Sequence, residues 1–531
     1  MYKHSRIQQF IAKLAMELSF VIVLLLSLIS PAITSYSLPE IKPWCDQTIY
    51  PDLCEYFFTH SPKFGKHPIQ NKSDFLKVSV QLVLDRAINA TENAKRLGPK
   101  CRNRSEKAAW LDCVDFFHKT VIVLNQTITD PKKSTPFNIH TSLGTTLTNL
   151  DTCEQGFIDF GITNNVMPLI VDIKLKNLTI NALGLNNGPE ACGVGTSYNE
   201  NGFPNWLSPI ERKLLQSSIV PSRANIVVAQ DGSGDYQTVK DAIDVASKRP
   251  GNERLVIYVK AGEYNEYIEI LSNNIMLVGD GIGKTIITGN RYKYDNITTW
   301  TSATVAVQGE NFIALGITFR NTAGPAKGQA VAFRSSSKFS VHYKCSFEGY
   351  QDTLYVHDNI QFYRGCDIYG TVDFIMGDAT VVFQNCTIFP RYPPNNTNTI
   401  TAQSRLDLHK CSGMSFHNCQ VKGASDLEKN HSMVRTYLGR PWKDCARVVF
   451  LKSDLGIIID PEGWLEWGKK EQLYFGEYGN KGVGASTGQR VNWPGFHVIE
   501  NYSEASKFSV KQFIGGDSWL PATNTPFDLD I

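Results

Sequence analysis

Apolar positions change their period partway along the chain. In AAWLDCVDFFHKTVIVLNQ (108–126), Leu111, Val114, Phe117, Val121 and Leu124 recur every three or four positions, which sets them on one stripe of a helix. KSDFLKVSVQLVLDRAINATENAKRL (72–97) behaves the same way, with Ser73 or Asp74 as the candidate cap. Segments near 137–160 and 165–184 read as further helices, and amphipathic faces of this kind predict a small helical bundle. From about Gly184 to Pro221 the text turns rich in Gly, Asn, Pro and Ser, the composition of a linker. After Asn225 it becomes short β-branched and aromatic runs broken by Gly, Asn and Asp, which read as strands.

The strand runs repeat. ALGITFRNT, HYKCSFEGY, YRGCDIYGT, FQNCTIFPR and FHNCQVKGA superpose on Gly316, Cys345, Cys366, Cys386 and Cys419, spaced 29, 21, 20 and 33. A period in the low twenties predicts a parallel β-helix with one coil per repeat, since a sandwich does not repeat its sequence in this way. Asp352 then lies seven residues past Cys345, and Asp373 seven past Cys366. Stacked strands are ~4.8 Å apart, so the two aspartates become neighbours on successive coils. The same stacking makes Cys345–Cys366 a candidate disulfide, with Cys386–Cys419 next, because bridged Cα atoms lie ~5.5 Å apart. Cys411 and Cys445 remain as a further candidate pair.

Length and composition narrow the class. At 531 residues the chain exceeds one ordinary core, and a net charge of +2 with no basic run interleaved with aromatics excludes a nucleic-acid partner. Lys3, Arg6 and Lys13 precede an apolar run, Leu18–Ser30, whose thirteen residues fall short of the ~20 that span a bilayer. Residues 1–35 therefore read as a secretory signal, with an uncleaved signal anchor as the alternative. Sequons at Asn71, Asn89, Asn103, Asn125, Asn177, Asn296, Asn385, Asn395 and Asn501 agree with secretion, Asn385 carrying a cysteine at its middle position. Twelve cysteines in a secreted chain favour disulfides, and the absence of Cys-x-x-Cys and His-Glu-x-x-His indicates no metal site. Arg212, Lys213, Leu214 and Leu215 form a dibasic stretch in the linker, either a pair of solvated charges or a proteolytic site.

Two adjacent carboxylates repel, so one is expected to hold a proton while a cation keeps the other charged. That asymmetry supplies an acid and a nucleophile; the competing reading is an Asp ladder that merely caps turns. The neighbours favour chemistry. Gln351 and Gln329 can donate to an oxyanion, Arg440 can hold a carboxylate, and Trp442 can stack on a sugar ring. Two decoys fall away. Gly484–Gly488 fits Gly-x-Ser-x-Gly but lies in a glycine-rich loop instead of a strand-to-helix elbow, and GDGIGKT (279–285) has the wrong glycine spacing for a phosphate loop.

GEYNE (262–266), GQAVAFR (328–334), YQDTLYVH (350–357), GTVDFIMG (370–377), LGRPW (438–442), and the GWLEW and YFGEY runs near 463–478 resemble plant pectinesterases in content and order. CDQTIYPDLC (45–54), WLDC (110–113) and TNLDTCEQGF (148–157) are similar to that family's inhibitor-like pro-region. The resemblance implies an all-α pro-region over 36–195, a linker with an RKLL processing site over 196–222, and a right-handed parallel β-helix over 223–531. It implies disulfides Cys45–Cys54 and Cys113–Cys153, with Cys101 and Cys192 outside the pattern. It further implies Asp373 as nucleophile, Asp352 as proton donor and acceptor, and Gln351 and Gln329 at the oxyanion. Arg440 would orient Asp373, and Thr299, Gln329, Arg440 and Trp442 would contact substrate. The expected activity is hydrolysis of pectin methyl esters in the plant cell wall, without a cofactor. The expected partners are the pro-region in cis, a processing protease and a separate proteinaceous inhibitor, with the enzyme a monomer. One departure stands out: Met376 occupies a position where the family usually has Phe. The rival readings are a lyase or polygalacturonase, or a silent wall-binding or inhibitory protein.

Overall fold

The computed structural model describes residues 37–61, 69–186, 192, 224–251, 253–294, 296–468 and 471–531. The segment 1–35 and the stretch Arg212, Lys213, Leu214, Leu215 lie outside them. Among the described residues no helix is long and apolar enough to cross a membrane.

The first half is helical: α1 Leu38–Cys45, α2 Pro51–His60, α3 Lys72–Leu97, α4 Arg104–Thr129, α5 Pro136–Asp159, α6 Met167–Ile170 and α7 Ile173–Leu185. Side-chain oxygens start the long helices. Asn71 accepts from the Asp74 N–H, Asn103 from Glu106, Thr135 from Asn138, and Asp172 from Lys174 and Leu175. The cap of α3 is thus Asn71, not Ser73 or Asp74, because the capped amide lies three residues beyond the capping side chain. The stripe on α4 is also rotated from expectation. Ala109, Cys113, Phe117 and Leu124 are buried, whereas Leu111 is 52% exposed. Disulfides Cys45–Cys54 and Cys113–Cys153 join α1 to α2 and α4 to α5.

The second half coils into three parallel sheets of eleven, seven and eight strands, with strands from successive coils hydrogen-bonded to one another. This is a right-handed parallel β-helix. Inward-facing rings stack from coil to coil: Tyr363, Phe383, Phe416 and Phe450 have centroids 4.8, 4.7 and 4.4 Å apart. Register moves one part of the repeat. Tyr343 pairs with Leu315, so Cys345 aligns with Ile317 and Gly316 with Lys344, one position from the sequence alignment. Gly316 and Lys344 share a left-handed corner, with φ of 64° and 50°.

Cys345, Cys366, Cys386 and Cys419 do occupy one column, but all four are buried free thiols. The expected pairs Cys345–Cys366 and Cys386–Cys419 are therefore absent. Equivalent residues of an in-register stack point the same way, so their Cβ atoms keep the ~4.8 Å strand spacing rather than converging to the ~3.8 Å of a disulfide. Each of the last three thiols faces a backbone carbonyl of the preceding coil: Cys366 to His342 (3.4 Å), Cys386 to Tyr363 (3.6 Å) and Cys419 to Phe383 (3.3 Å). Cys411 is bonded to Cys192, not to Cys445, which leaves Cys445 and Cys101 free.

The halves share two apolar clusters, the smaller contact being Phe137 of α5 stacked on Phe339 at 6.3 Å. Residues of the helical core continue into Trp300, Ala306, Val331, Tyr355, Met376 and Ala402 on the outer face of the seven-stranded sheet. Helix α4 therefore has two buried flanks, one against the bundle and one against this sheet, and that rotates its stripe. Phe116 meets Trp300 edge-on at 4.6 Å, and Asp112 accepts from the Thr298 hydroxyl at 2.5 Å.

Candidate active site

Three neighbouring strands of the seven-stranded sheet, Leu354–Val356, Ile375–Gly377 and Thr397–Gln403, fix the site. Leu354 pairs with Ile375 and Ile375 with Thr401, so Asp352, Asp373 and Thr399 form a single column across three coils. Both aspartates sit at left-handed corners (φ 60° and 51°), a conformation Asp tolerates better than most residues. The Asp352 N–H donates to the Val372 carbonyl (3.1 Å), and the Asp373 N–H to the Thr399 hydroxyl (2.9 Å).

Asp373 is held from two sides. Arg440 donates from Nε to Oδ1 (2.8 Å) and from Nη2 to Oδ2 (2.6 Å), a bidentate clamp. Thr399 Oγ1 donates to Oδ1 at 2.6 Å. Among the described residues no such cation clamps the oxygens of Asp352. Burial, then the Asp373 and Asp159 carboxylates, push its carboxyl well above the usual carboxylate range, against the pull of Arg440 and Lys293. A carboxylate clamped by a guanidinium beside a carboxyl pushed toward its protonated form offers a nucleophile and an acid in one place.

Gln329, Gln351, Thr299, Arg440 and Trp442 all line the same cavity of about 250 Å³ with the two aspartates. The backbone carbonyls of both glutamines are fixed, Gln351 by the Ala330 N–H (3.2 Å) and Gln329 by the Lys293 N–H (2.8 Å). Met376 lines this cavity too. It lies on the outer face between Tyr355 and Ala402, whereas Phe374 and Ile375 enter the β-helix core. It is therefore a wall of the site outside the β-helix core, packed instead against the helical half.

Helix α5 covers the cavity. Asp159 accepts from Thr299 Oγ1 (3.0 Å), and its backbone carbonyl accepts from Lys293 Nζ (2.9 Å). Thr152 Oγ1 lies 2.9 Å from His357 Nε2, and Lys443 Nζ donates to Asp151 (2.9 Å) and Gln155 (3.3 Å). Lys410 donates to Asp358 (3.1 Å), to Asp378 (2.7 Å) and to Thr148 of α5. The side chain expected to touch substrate, Thr299, is thus occupied by the helical half.

Sequence reasoning missed Thr399, Trp467 and Asp159. Carrying the repeat one coil beyond Asp373 reaches Pro393, because this coil is longer, and only the strand register brings Thr399 into the column. Trp467 is the second tryptophan of GWLEW, and Arg440 stacks over its ring at 4.1 Å, which fixes the guanidinium from the solvent side.

A family model described as Pectinesterase matches residues 225–517, and one described as Plant invertase/pectin methylesterase inhibitor matches residues 39–185. Probable pectinesterase/pectinesterase inhibitor 17 of Arabidopsis thaliana is 51% identical over 508 residues, covering 95% of this chain and 97% of its own length. Pectinesterase 2 of Citrus sinensis is 51% identical over 521 residues, covering 97% and 99%. Among solved structures, the pectin methylesterase from carrot is 46% identical with a TM-score of 0.57, and its alignment spans 58% of this chain and 98% of the carrot chain. These likenesses set aside the lyase, polygalacturonase and non-catalytic readings: the chain belongs to the pectinesterase family of carboxylic ester hydrolases and carries a pectin methylesterase inhibitor-like pro-region in the same polypeptide.

Proposed function

We propose that Asp373 and Asp352 divide the hydrolysis of a galacturonate methyl ester between them. The Asp373 carboxylate attacks the ester carbonyl, and the side-chain amides of Gln329 and Gln351 donate to the oxyanion. Asp352 gives its proton to the departing methanol, leaving an acyl-enzyme anhydride. Asp352, now a carboxylate, takes a proton from water, whose oxygen attacks the acyl carbon. Asp373 leaves as carboxylate, the product acid is freed, and the transferred proton stays on Asp352. Arg440 orients the nucleophile, and Trp442 and Thr299 contact the polysaccharide. The carrying observation is the asymmetry of the pair, with one carboxylate clamped by Arg440 and its neighbour driven by burial toward the protonated form. In the β-helix freed of the pro-region, Asp373→Asn is expected to abolish methanol release from methylated pectin; substantial residual activity rejects the assignment.

The substrate is homogalacturonan of the plant cell wall, reached by secretion, and the enzyme acts as a monomer. The pro-region restrains it in cis, since Asp159 and Thr152 of α5 stand over the groove. A protease cutting at Arg212–Leu215 would begin release, and a separate inhibitor of the same fold would dock on the same sheet. Methanol release by the full chain and by the fragment starting near Gln216 tests the restraint: equal rates refute it.

A further inference from the structure

Cys192 precedes residues 193–223 in the chain, and Cys411 belongs to the β-helix loop that follows Gln403. The two are bonded, with Cα atoms 5.7 Å apart. A cut anywhere in residues 193–223 consequently leaves the halves joined by one covalent bond. The surroundings are shaped for this contact. A Cβ added to Gly144 of α5 would meet Lys410 Cε at a tight 3.2 Å, so this glycine lets the loop settle closely on α5, while His409 lies in ordinary contact distance of Gly184 of α7. His140 of α5 places Nε2 3.0 Å from Cys411 Sγ.

We propose that Cys192–Cys411 is a covalent latch and a thiol-exchange site: it keeps the pro-region on the catalytic face after the linker is cut, so that release takes proteolysis and reduction. This rests on the restraint proposed above. The scale of the effect follows from tethering, which presents a partner at about millimolar effective concentration. A pro-region with a micromolar Kd would then leave only ~0.1% of sites open.

Exchange with a dithiol reductant balances. A reductant thiolate attacks the Cys192 sulfur, the Cys192–Cys411 bond breaks, and its electron pair leaves on Cys411 as thiolate. The second reductant thiol, losing its proton, displaces Cys192 and closes the reductant's own disulfide. Two electrons reduce the protein, and the two protons shed by the reductant end on Cys192 and Cys411. Access selects this bond: Cys192 is exposed, whereas Cys45, Cys54, Cys113 and Cys153 are all buried. With its proton on Nε2, His140 is in reach to hydrogen-bond the leaving Cys411 thiolate.

The test uses the full chain, cut with a dibasic-specific endoprotease and run on denaturing gels with and without dithiothreitol, with methanol release followed in parallel. The expected result is one band without reductant and two with it, activity rising only on reduction. Cys192→Ser, cut in the same way, should give two bands without reductant and release methanol at least ~10-fold faster than the cut, unreduced parent. Two bands from the unreduced parent overturn the latch. So does a cut, unreduced parent as active as cut Cys192→Ser when both exceed the uncut chain. If cut Cys192→Ser separates yet stays as silent as the uncut chain, the restraint in cis fails, while a single unreduced parent band still supports the tether.

Discussion

Replacing Thr399 by valine removes two hydrogen bonds from Asp373 while nearly keeping the shape of the side chain. One is the 2.6 Å donation from Oγ1 to the carboxylate; the other is the 2.9 Å bond that the same oxygen accepts from the Asp373 N–H. Thr399 and Asp373 are 1% and 6% exposed, so water does not readily replace what is lost. A hydrogen bond to a charged group contributes ~1.5–3 kcal/mol, and an orphaned buried N–H costs ~1–3 kcal/mol, of which the relaxing corner recovers part. A destabilisation of ~2–4 kcal/mol is expected, lowering Tm by ~4–16 °C at ~2–4 °C per kcal/mol. If about 2 kcal/mol of it reaches the transition state through a misaimed nucleophile, kcat/KM falls ~30-fold. Arg440 still clamps the carboxylate, so activity should not vanish. Methanol release by the isolated β-helix and a melting curve measure both effects, and Thr399→Ser should restore both because it keeps the oxygen. A valine variant within twofold of the parent in kcat/KM, with unchanged Tm, refutes the claim that Thr399 positions Asp373.

Three further perturbations address the cover and the wall of the site. Burial raises Asp112 from 3.8 to about 7, with the Thr298 hydroxyl and the Arg334 and Lys119 charges opposing it and Asp115 adding to it. Docking of the pro-region therefore favours the protonated acid. Its contribution is complete below pH ~3.9 and lost as pH rises through about 7, a weakening of at most ~4 kcal/mol. Dissociation of the cut Cys192→Ser chain followed from pH 4 to 8 should show this loss, and Asp112→Asn should flatten it; an unchanged pH dependence removes Asp112 from the account. Asp159→Asn in the intact chain takes away one of the carboxylates that raise Asp352, so Asp352 should ionise at lower pH in a ¹³C-carboxyl NMR titration, and an unmoved titration contradicts the contact. Met376→Phe in the isolated β-helix narrows an open cavity wall without entering the core. It should move KM for methylated pectin more than Tm, and a large stability loss with constant KM would place the residue elsewhere.

What the sequence discloses follows from how each feature is encoded. Asp352 and Asp373 were legible as neighbours because a coil of 21 residues repeats with its cysteine and its acid in step. Thr399 was not, since the next coil takes 26 residues to reach the same column and fills it with a hydroxyl. The cysteine column was found correctly but bonded wrongly, because alignment reports which residues are adjacent and not which way their Cβ atoms point. Leu111 looked like part of the α4 stripe, but a helix with two buried flanks has no single stripe to find. The most instructive case is α5. Thr145, Thr148, Thr152, Gln155 and Asp159 follow one another at intervals of three and four, a true helical stripe made of polar residues. Such a stripe reads as a solvated face, and the structure lays it on the β-helix.

A polar stripe suits a cover that must come off. The groove beneath is lined by polar groups, and a wholly apolar lid would bury Thr299 and Lys443 without the partners that α5 supplies. Hydrogen bonds of this kind contribute only ~1 kcal/mol each net, because water replaces them when the surfaces part. The apolar share of the contact lies in separate patches: Phe116 against Trp300, the surroundings of Tyr355 and Met376, and Phe137 against Phe339. Such an interface can dissociate without exposing a large greasy surface on either half, and for the same reason it resists dilution poorly once the linker is cut. A bond from Cys192 to Cys411 fills that gap: it leaves the contact weak enough to reverse and supplies the proximity that the contact itself does not.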